Sequence, residues 1–315
     1  MKKWKVAIVG SGYMAQEHAK AFSSLPNVEI AGVCGRTLMR AEAFAATYGV
    51  RAYDSVAALY AATQADVVIV AVNELSVREV CKEVFEHPWL CLLEKPVGID
   101  LVQAKEISIA AECKGVRAYV GLNRRSYVST RKALQELASD ESPRLISVLD
   151  QQDMVAAHEG GQPDEVVRNY MYANSIHLVD YLNYFGRGVV EYVESIKSWD
   201  PNCPGFVVAA VHYSSGDLGI YQAVWNGPGP WSITVTNNRV RVEMRPLETL
   251  GIQRRGERRL ANSTIDSIDA DFKPGLKYQA EQIIEALEGR SIKLASLDDA
   301  TRSMVLCANI YGLNR

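Results

Sequence analysis

Lys5-Val6-Ala7-Ile8-Val9-Gly10-Ser11-Gly12-Tyr13-Met14-Ala15 sets how the chain begins to fold. Residues 6–9 are a short, wholly apolar run, which reads as a strand buried on both faces. The run stops at Gly10, and a helical stretch follows to about residue 24. Gly10-x-Gly12-x-x-Ala15 therefore stands between a strand and a helix. Gly10 permits a tight turn, Gly12 lets the backbone approach a pyrophosphate, and Ala15 keeps helix and strand close. The helix start then offers free N–H groups and a partial positive charge to phosphates.

Outward from this turn the pattern repeats. Residues 28–34, 66–72, 89–93 and 116–122 read as strands rich in apolar and β-branched residues. Residues 39–48, 56–62, 77–86 and 101–113 read as helices between them. Gly49 suits the end of the second helix and Ser55 the cap of the third. Strict β/α alternation with nearly all-apolar strands predicts a parallel sheet covered on both faces. Residues 1–122 are thus expected to be a dinucleotide-binding Rossmann domain.

After residue 123 the texture changes. Helical spacing at 129–138 and 174–185 flanks a strand at 144–150. Alternating segments follow at 191–199, 206–213, 219–225, 231–236 and 239–246, several separated by turn pairs such as Asn237-Asn238. That predicts a mostly antiparallel sheet, followed by helices at 276–288 and 297–311. The fold class expected is α/β: a Rossmann domain and a second α/β domain at 123–315 for substrate binding and oligomerisation.

Bulk properties narrow the function. A net charge of −3 argues against a general binder of nucleic acid or membrane surfaces. No apolar run approaches the roughly 18 residues that span a bilayer. The lysines before residues 6–9 superficially resemble a leader, but a secretory core needs about 7–15 apolar residues, so a cytoplasmic protein is expected. The six cysteines are scattered with no C-x-x-C pair, which reads as buried thiols in a reducing compartment. His87, His158 and His212 lack metal-ligand spacing, and no metal is expected.

An NAD site ordinarily carries an acid at the end of the second strand for the ribose 2′-hydroxyl. Here that end reads Val33-Cys34-Gly35-Arg36-Thr37, with Gly35 in the acid's place. Without the carboxylate, Arg36 and Thr37 are free to take a 2′-phosphate, so NADP is expected in preference to NAD. Stacking of Arg36 on adenine is the alternative.

These segments, with others downstream, resemble the glucose–fructose oxidoreductase/inositol dehydrogenase/rhizopine-catabolism family (Gfo/Idh/MocA). The glycine turn is followed by His18, Leu93-Glu94-Lys95-Pro96 is similar to that family's E-K-P segment, and Ser175-Ile176-His177-Leu178-Val179-Asp180 is similar to its H-x-x-D helix. Gly121-Leu122-Asn123-Arg124-Arg125 resembles its entry to the second domain. The resemblance implies a large open sheet that often mediates dimers or tetramers. It also implies hydride transfer between nicotinamide and a secondary alcohol or ketone of a sugar, polyol or sugar nucleotide, and a cis bond before Pro96. The expected cofactor contacts are Gly10, Gly12, Tyr13, Met14, Ala15, Arg36, Thr37, Asn73, Glu94, Lys95 and Pro96.

Lys95 and His177 are the expected catalytic pair. Lys95 ends a parallel strand, where open α/β sheets place ligands, and its ammonium can polarise a substrate oxygen. Glu94 either faces the nicotinamide amide or shapes the loop. An imidazole suits proton exchange near neutral pH. His18 is expected to pack or bond within the cofactor helix, and Asp180 to orient its own helix. Arg124, Tyr127, Asn174 and His177 are the expected substrate contacts.

Two departures stand out. Ala173 occupies the place, four residues before His177, where many relatives carry Asp. Asn73-Glu74-Leu75-Ser76 lacks the Pro and His of the family's P-N-x-x-H. His177 alone, or with Tyr172 or Tyr127, then has to move the proton. The incomplete set leaves two other readings open: a cofactor-binding regulatory or scaffold protein, and a reductase of another C=O or C=N bond.

Overall fold

The computed structural model describes residues 2–264 and 266–313. The chain divides into two compact units, Met1–Ser126 with Ile268–Thr301, and Tyr127–Ser267 with Arg302–Arg315. The first unit alternates β1 (Trp4–Val9), α1 (Tyr13–Ser23), β2 (Val28–Cys34), α2 (Leu38–Thr47), β3 (Ala52–Tyr53), α3 (Val56–Thr63), β4 (Val67–Val70), α4 (Val77–Val84), β5 (Leu90–Leu93), α5 (Leu101–Cys113) and β6 (Ala118–Val120). The second carries α6 (Val128–Leu137), β7 (Leu145–Gln152), α7 (Met154–Glu159), α8 (Asp164–Arg168), α9 (Ile176–Phe185), β8 (Val190–Lys197), β9 (Phe206–Tyr213), β10 (Leu218–Trp225), β11 (Ser232–Thr236), β12 (Val240–Met244), β13 (Gly251–Arg254) and β14 (Ala261–Asn262). The chain then returns to the first unit with α10 (Ile268–Asp271), α11 (Leu276–Leu287) and β15 (Ala295–Ser296). It ends in α12 (Leu297–Tyr311), which belongs to the second unit from Arg302 on.

The first unit's sheet runs β15-β6-β5-β4-β1-β2-β3. All pairs are parallel except β15 with β6. β1 pairs with β2 on one side and β4 on the other, so the strand order reverses there. That is the switch point where open α/β sheets bind ligands. The expected Rossmann domain is present.

Residues 268–301 depart from the expected boundary. α11 places Leu276, Ala280, Ile283 and Ile284 in the same apolar cluster as Ala15, Ala19 and Phe22 of α1. Burying that face against α1 outweighs chain order, because apolar burial is non-directional and indifferent to sequence distance. β15 then extends the sheet edge at β6.

The second unit's sheet runs β14-β13-β12-β11-β7-β10-β9-β8. It is antiparallel except for β7 with β10, as the alternating segments predict. α9 packs on β7 and α6 on β12. Along β7 the buried positions are Ile146, Val148, Asp150 and Gln152. β7 runs two residues past its expected end, and its inward face turns from apolar to polar.

All six cysteines are free; Cys34, Cys81, Cys91 and Cys307 are buried, Cys113 and Cys203 exposed. Among the described residues no helix is long and apolar enough to cross a membrane.

Candidate active site

The backbone ladder of the first unit levels the C-terminal ends of its strands. Gly10 N donates to Cys34 O at 2.8 Å, Ala71 N to Val9 O at 2.8 Å, Glu94 N to Val70 O at 2.8 Å and Gly121 N to Leu93 O at 2.7 Å. Gly10, Ala71, Glu94 and Gly121 therefore stand in one row beyond the sheet.

The two glycines of the turn have different physical duties. Gly10 has φ +121°, and a Cβ there would sit 2.1 Å from Ala71 O. Only glycine fits that close approach. Gly12 has ordinary angles (φ −83°, ψ −174°) as the N-cap of α1, and nothing lies within 4 Å of where its Cβ would be. The space over Gly12 is open, and the first turn of α1 holds no acidic residue. Tyr13 is mostly exposed, Met14 half-buried and Ala15 fully buried between helix and sheet. This cradle fits a dinucleotide's phosphates.

Gly35 is buried, with Arg36 and Thr37 exposed after it. A Cβ at Gly35 would come within 3.2 Å of Ala41 Cβ and 3.4 Å of Ser11 Oγ. Ser11, Gly12, Gln16 and Lys20 on one side and Arg40, Thr47 and Tyr48 on the other line an open hollow of about 670 Å³. Arg40, in the first turn of α2 and four residues after Arg36, is a cation that the sequence reading did not single out. Asn73 is exposed in the loop after β4, its carbonyl accepting from Ser76 N at 3.0 Å.

Glu94, Lys95 and Pro96 follow β5, and Lys95–Pro96 is cis as the resemblance implies. Glu94 Oε1 lies 2.6 Å from His18 Nε2, and both side chains are buried. His18 thus bonds across to the strand end rather than within its own helix. Lys95 is half-buried. Burial pushes its ammonium below the ordinary lysine range, Glu94 and Glu74 pull it back up, and Arg124 and Lys273 push it further down. Arg124 sits half-buried in a 3₁₀ turn, Asn123–Ser126; beside it Arg125 lies 3.8 Å from Asp299.

In the second unit, Tyr127 is buried at the N-cap of α6. His177 is buried in the first turn of α9, and Asp180 accepts from Ser303 Oγ at 2.7 Å, which ties α9 to α12. Before α9 the chain makes a single π turn, Met171–Ser175, which carries Tyr172, Ala173 and Asn174. Such turns recur at functional sites. Asn174 Nδ2 donates to Gln152 Oε1 at 2.8 Å, and Gln152 Nε2 donates to Asp150 Oδ1 at 2.7 Å. Sequence reading missed Asp150 and Gln152. The available signal was their place on the inward alternation of β7 after Ile146 and Val148.

The first unit is therefore a dinucleotide-binding domain. Residues 4–122 match the family described as "Oxidoreductase family, NAD-binding Rossmann fold" (GFO_IDH_MocA). It is 31% identical over 146 residues to glucose-6-phosphate 3-dehydrogenase of Bacillus subtilis, covering 46% of this chain and 41% of that protein. It is 28% identical over 124 residues to D-apiose dehydrogenase of Paraburkholderia graminis, covering 39% of this chain and 33% of that protein. The matched region thus spans well under half the length of these curated relatives. The fold as a whole is similar to that of a UDP-N-acetylglucosamine 3-dehydrogenase from Acidithiobacillus ferrooxidans, with a TM-score of 0.79, 18% identity, and 98% and 96% of the two chains covered.

Proposed function

We propose that this protein is an NAD(P)-dependent oxidoreductase acting on a secondary alcohol or ketone of a sugar, polyol or sugar nucleotide. One observation carries the reading: Lys95 follows β5 in the same row of strand ends as the glycine turn. The sugar dehydrogenases among the relatives support the substrate class.

Gly10, Gly12 and Ala15 would hold the phosphates at the start of α1, with Tyr13, Met14, Asn73, Glu94 and Pro96 as further contacts. The nicotinamide, when bound, supplies the hydride acceptor or donor. Lys95 would donate a hydrogen bond to the reacting oxygen and stabilise negative charge developing there. His177 would take the hydroxyl proton in oxidation and return it in reduction. Asn174 would accept a hydrogen bond from a neighbouring hydroxyl, with Arg124 and Tyr127 as further contacts. NADP is the cofactor proposed, because Gly35 removes the acid and Arg36 and Thr37 stand exposed beside it. A cytoplasmic homodimer or homotetramer completes the proposal, and the exposed Tyr192, Ile196 and Phe206 on β8 and β9 support self-association.

The test is absorbance at 340 nm with NADP⁺ or NAD⁺ and a panel containing glucose 6-phosphate, D-apiose, UDP-N-acetylglucosamine and polyols. Reduced cofactor should appear with at least one member and be lost in Lys95→Ala. Cofactor binding without turnover of any member would favour the regulatory or scaffold reading, which the buried methyl of Ala173 keeps in play.

A further inference from the structure

Asp150 and Gln152 are nearly inaccessible, at 2% and 1%, on the inward face of β7. Buried polar groups at apolar positions need partners, and these have them. Tyr221 OH donates to Asp150 Oδ2 at 2.6 Å, and Gln152 Nε2 donates to Asp150 Oδ1 at 2.7 Å. Burial and Asp150 hold the Tyr221 phenol well above its ordinary range, so it keeps its proton. The Tyr311 hydroxyl lies 2.8 Å from that of Tyr221 and 3.3 Å from Ser175 Oγ.

The polarity of this chain of bonds is forced. A carboxylate only accepts, so Gln152 has to turn its NH₂ toward Asp150. Its Oε1 is then left for Asn174, which has to donate with Nδ2, as it does at 2.8 Å. Asn174 Oδ1 is thereby turned away from Gln152 and accepts no hydrogen bond among the described residues. We infer that Asp150 is a positioning residue: through Gln152 it fixes which end of the Asn174 carboxamide faces outward, so that this part of the π turn presents an acceptor. Resting on the proposed function, the inference narrows the substrate. The carbon contacted by Asn174 carries a hydrogen-bond donor, a hydroxyl or an N–H, and a deoxy or O-methyl analogue at that carbon binds worse.

Two near-isosteric variants test it: Asp150→Asn, which removes the forced polarity, and Gln152→Leu, which cuts the link. The first readout needs no turnover. With ¹⁵N-labelled Asn and Gln side chains, the Asn174 carboxamide signal, assigned from its loss in Asn174→Ala, should move in both variants. The second readout uses whichever panel sugar is turned over. Each variant should raise its KM about fivefold, with kcat within about twofold. In the Asn174→Ala background the same changes should leave KM unaltered, because coupled residues are non-additive. An unmoved Asn174 signal, or a KM effect that persists in that background, overturns the positioning role. Absence of turnover with every sugar defeats the proposed function instead, while the amide signal still decides the positioning.

Discussion

His18 on the cofactor helix and Glu94 at the end of β5 form a buried pair, Nε2 to Oε1 at 2.6 Å, across 76 residues of chain. The pair joins the helix that follows the glycine turn to the strand end that carries Lys95. Gly121 closes on it from β6's side, since a Cβ there would lie 2.9 Å from Glu94 Oε1. Glu94→Ala strands His18 Nε2 without its partner and should cost about 1–3 kcal/mol of stability, measured by denaturant unfolding. His18→Ala and Glu94→Ala should be non-additive in a double-mutant cycle. Full additivity would mean that the contact has no energetic weight.

The two glycines of the turn should separate folding from binding. Gly10→Ala forces a left-handed φ and a collision with Ala71 O, and should destabilise by about 2–5 kcal/mol. Gly12→Ala meets open space at ordinary angles, so stability should stay within about 1 kcal/mol of the parent. Its methyl nonetheless fills the room needed by a pyrophosphate, and NADPH affinity by fluorescence titration should fall about tenfold or more. Unchanged affinity in Gly12→Ala would remove the turn as the phosphate site.

Lys95 makes stability and activity depend on pH in opposite ways. Burial holds its folded pKa below the ordinary 10.5 of the unfolded chain. Below the folded value both states are protonated and the cost of burying the charge is fully present. Between the two values only the unfolded state binds the proton, so the folded state gains as pH rises. Lys95→Met should therefore raise Tm at neutral pH, with the gain shrinking as pH approaches 10.5. On the proposed mechanism turnover needs the ammonium, and should fall on the alkaline side before an ordinary lysine would titrate. A Tm difference that grows with pH would contradict the burial argument.

Cofactor choice should follow the end of β2. Arg36→Ala should weaken NADPH binding about tenfold and leave NADH nearly unchanged, because the proposed charge-assisted bond to the 2′-phosphate would be lost. Arg40→Ala should act in the same direction if the hollow beside Gly12 takes that phosphate. Isothermal titration with both cofactors decides it, and tighter NADH binding by the parent protein would end the NADP proposal.

Much of the first unit was legible because its signals are local. Buried parallel strands such as Val67–Val70 are apolar at every position, and the glycine turn declares itself by residue type and by its place after such a strand. The helix carrying His177 was legible by its spacing. The π turn before it was not, since Met171–Ser175 has no periodicity that separates it from the helix it enters. Asp150 was overlooked because a carboxylate in an alternating strand reads as outward-facing until its partners are known.

Local pattern alone thus established the Rossmann domain, the mostly antiparallel sheet and the turn where phosphates would bind. These depend on backbone angles and on which face of an element is apolar, and both are written into neighbouring residues. Tertiary packing alone settled that α11 returns to α1, that His18 meets Glu94, and that Asp150 orders Gln152 and Asn174. Each of these joins residues from separate elements. Periodicity can say that a side chain is buried, but which group it is buried against depends on how the elements close on one another.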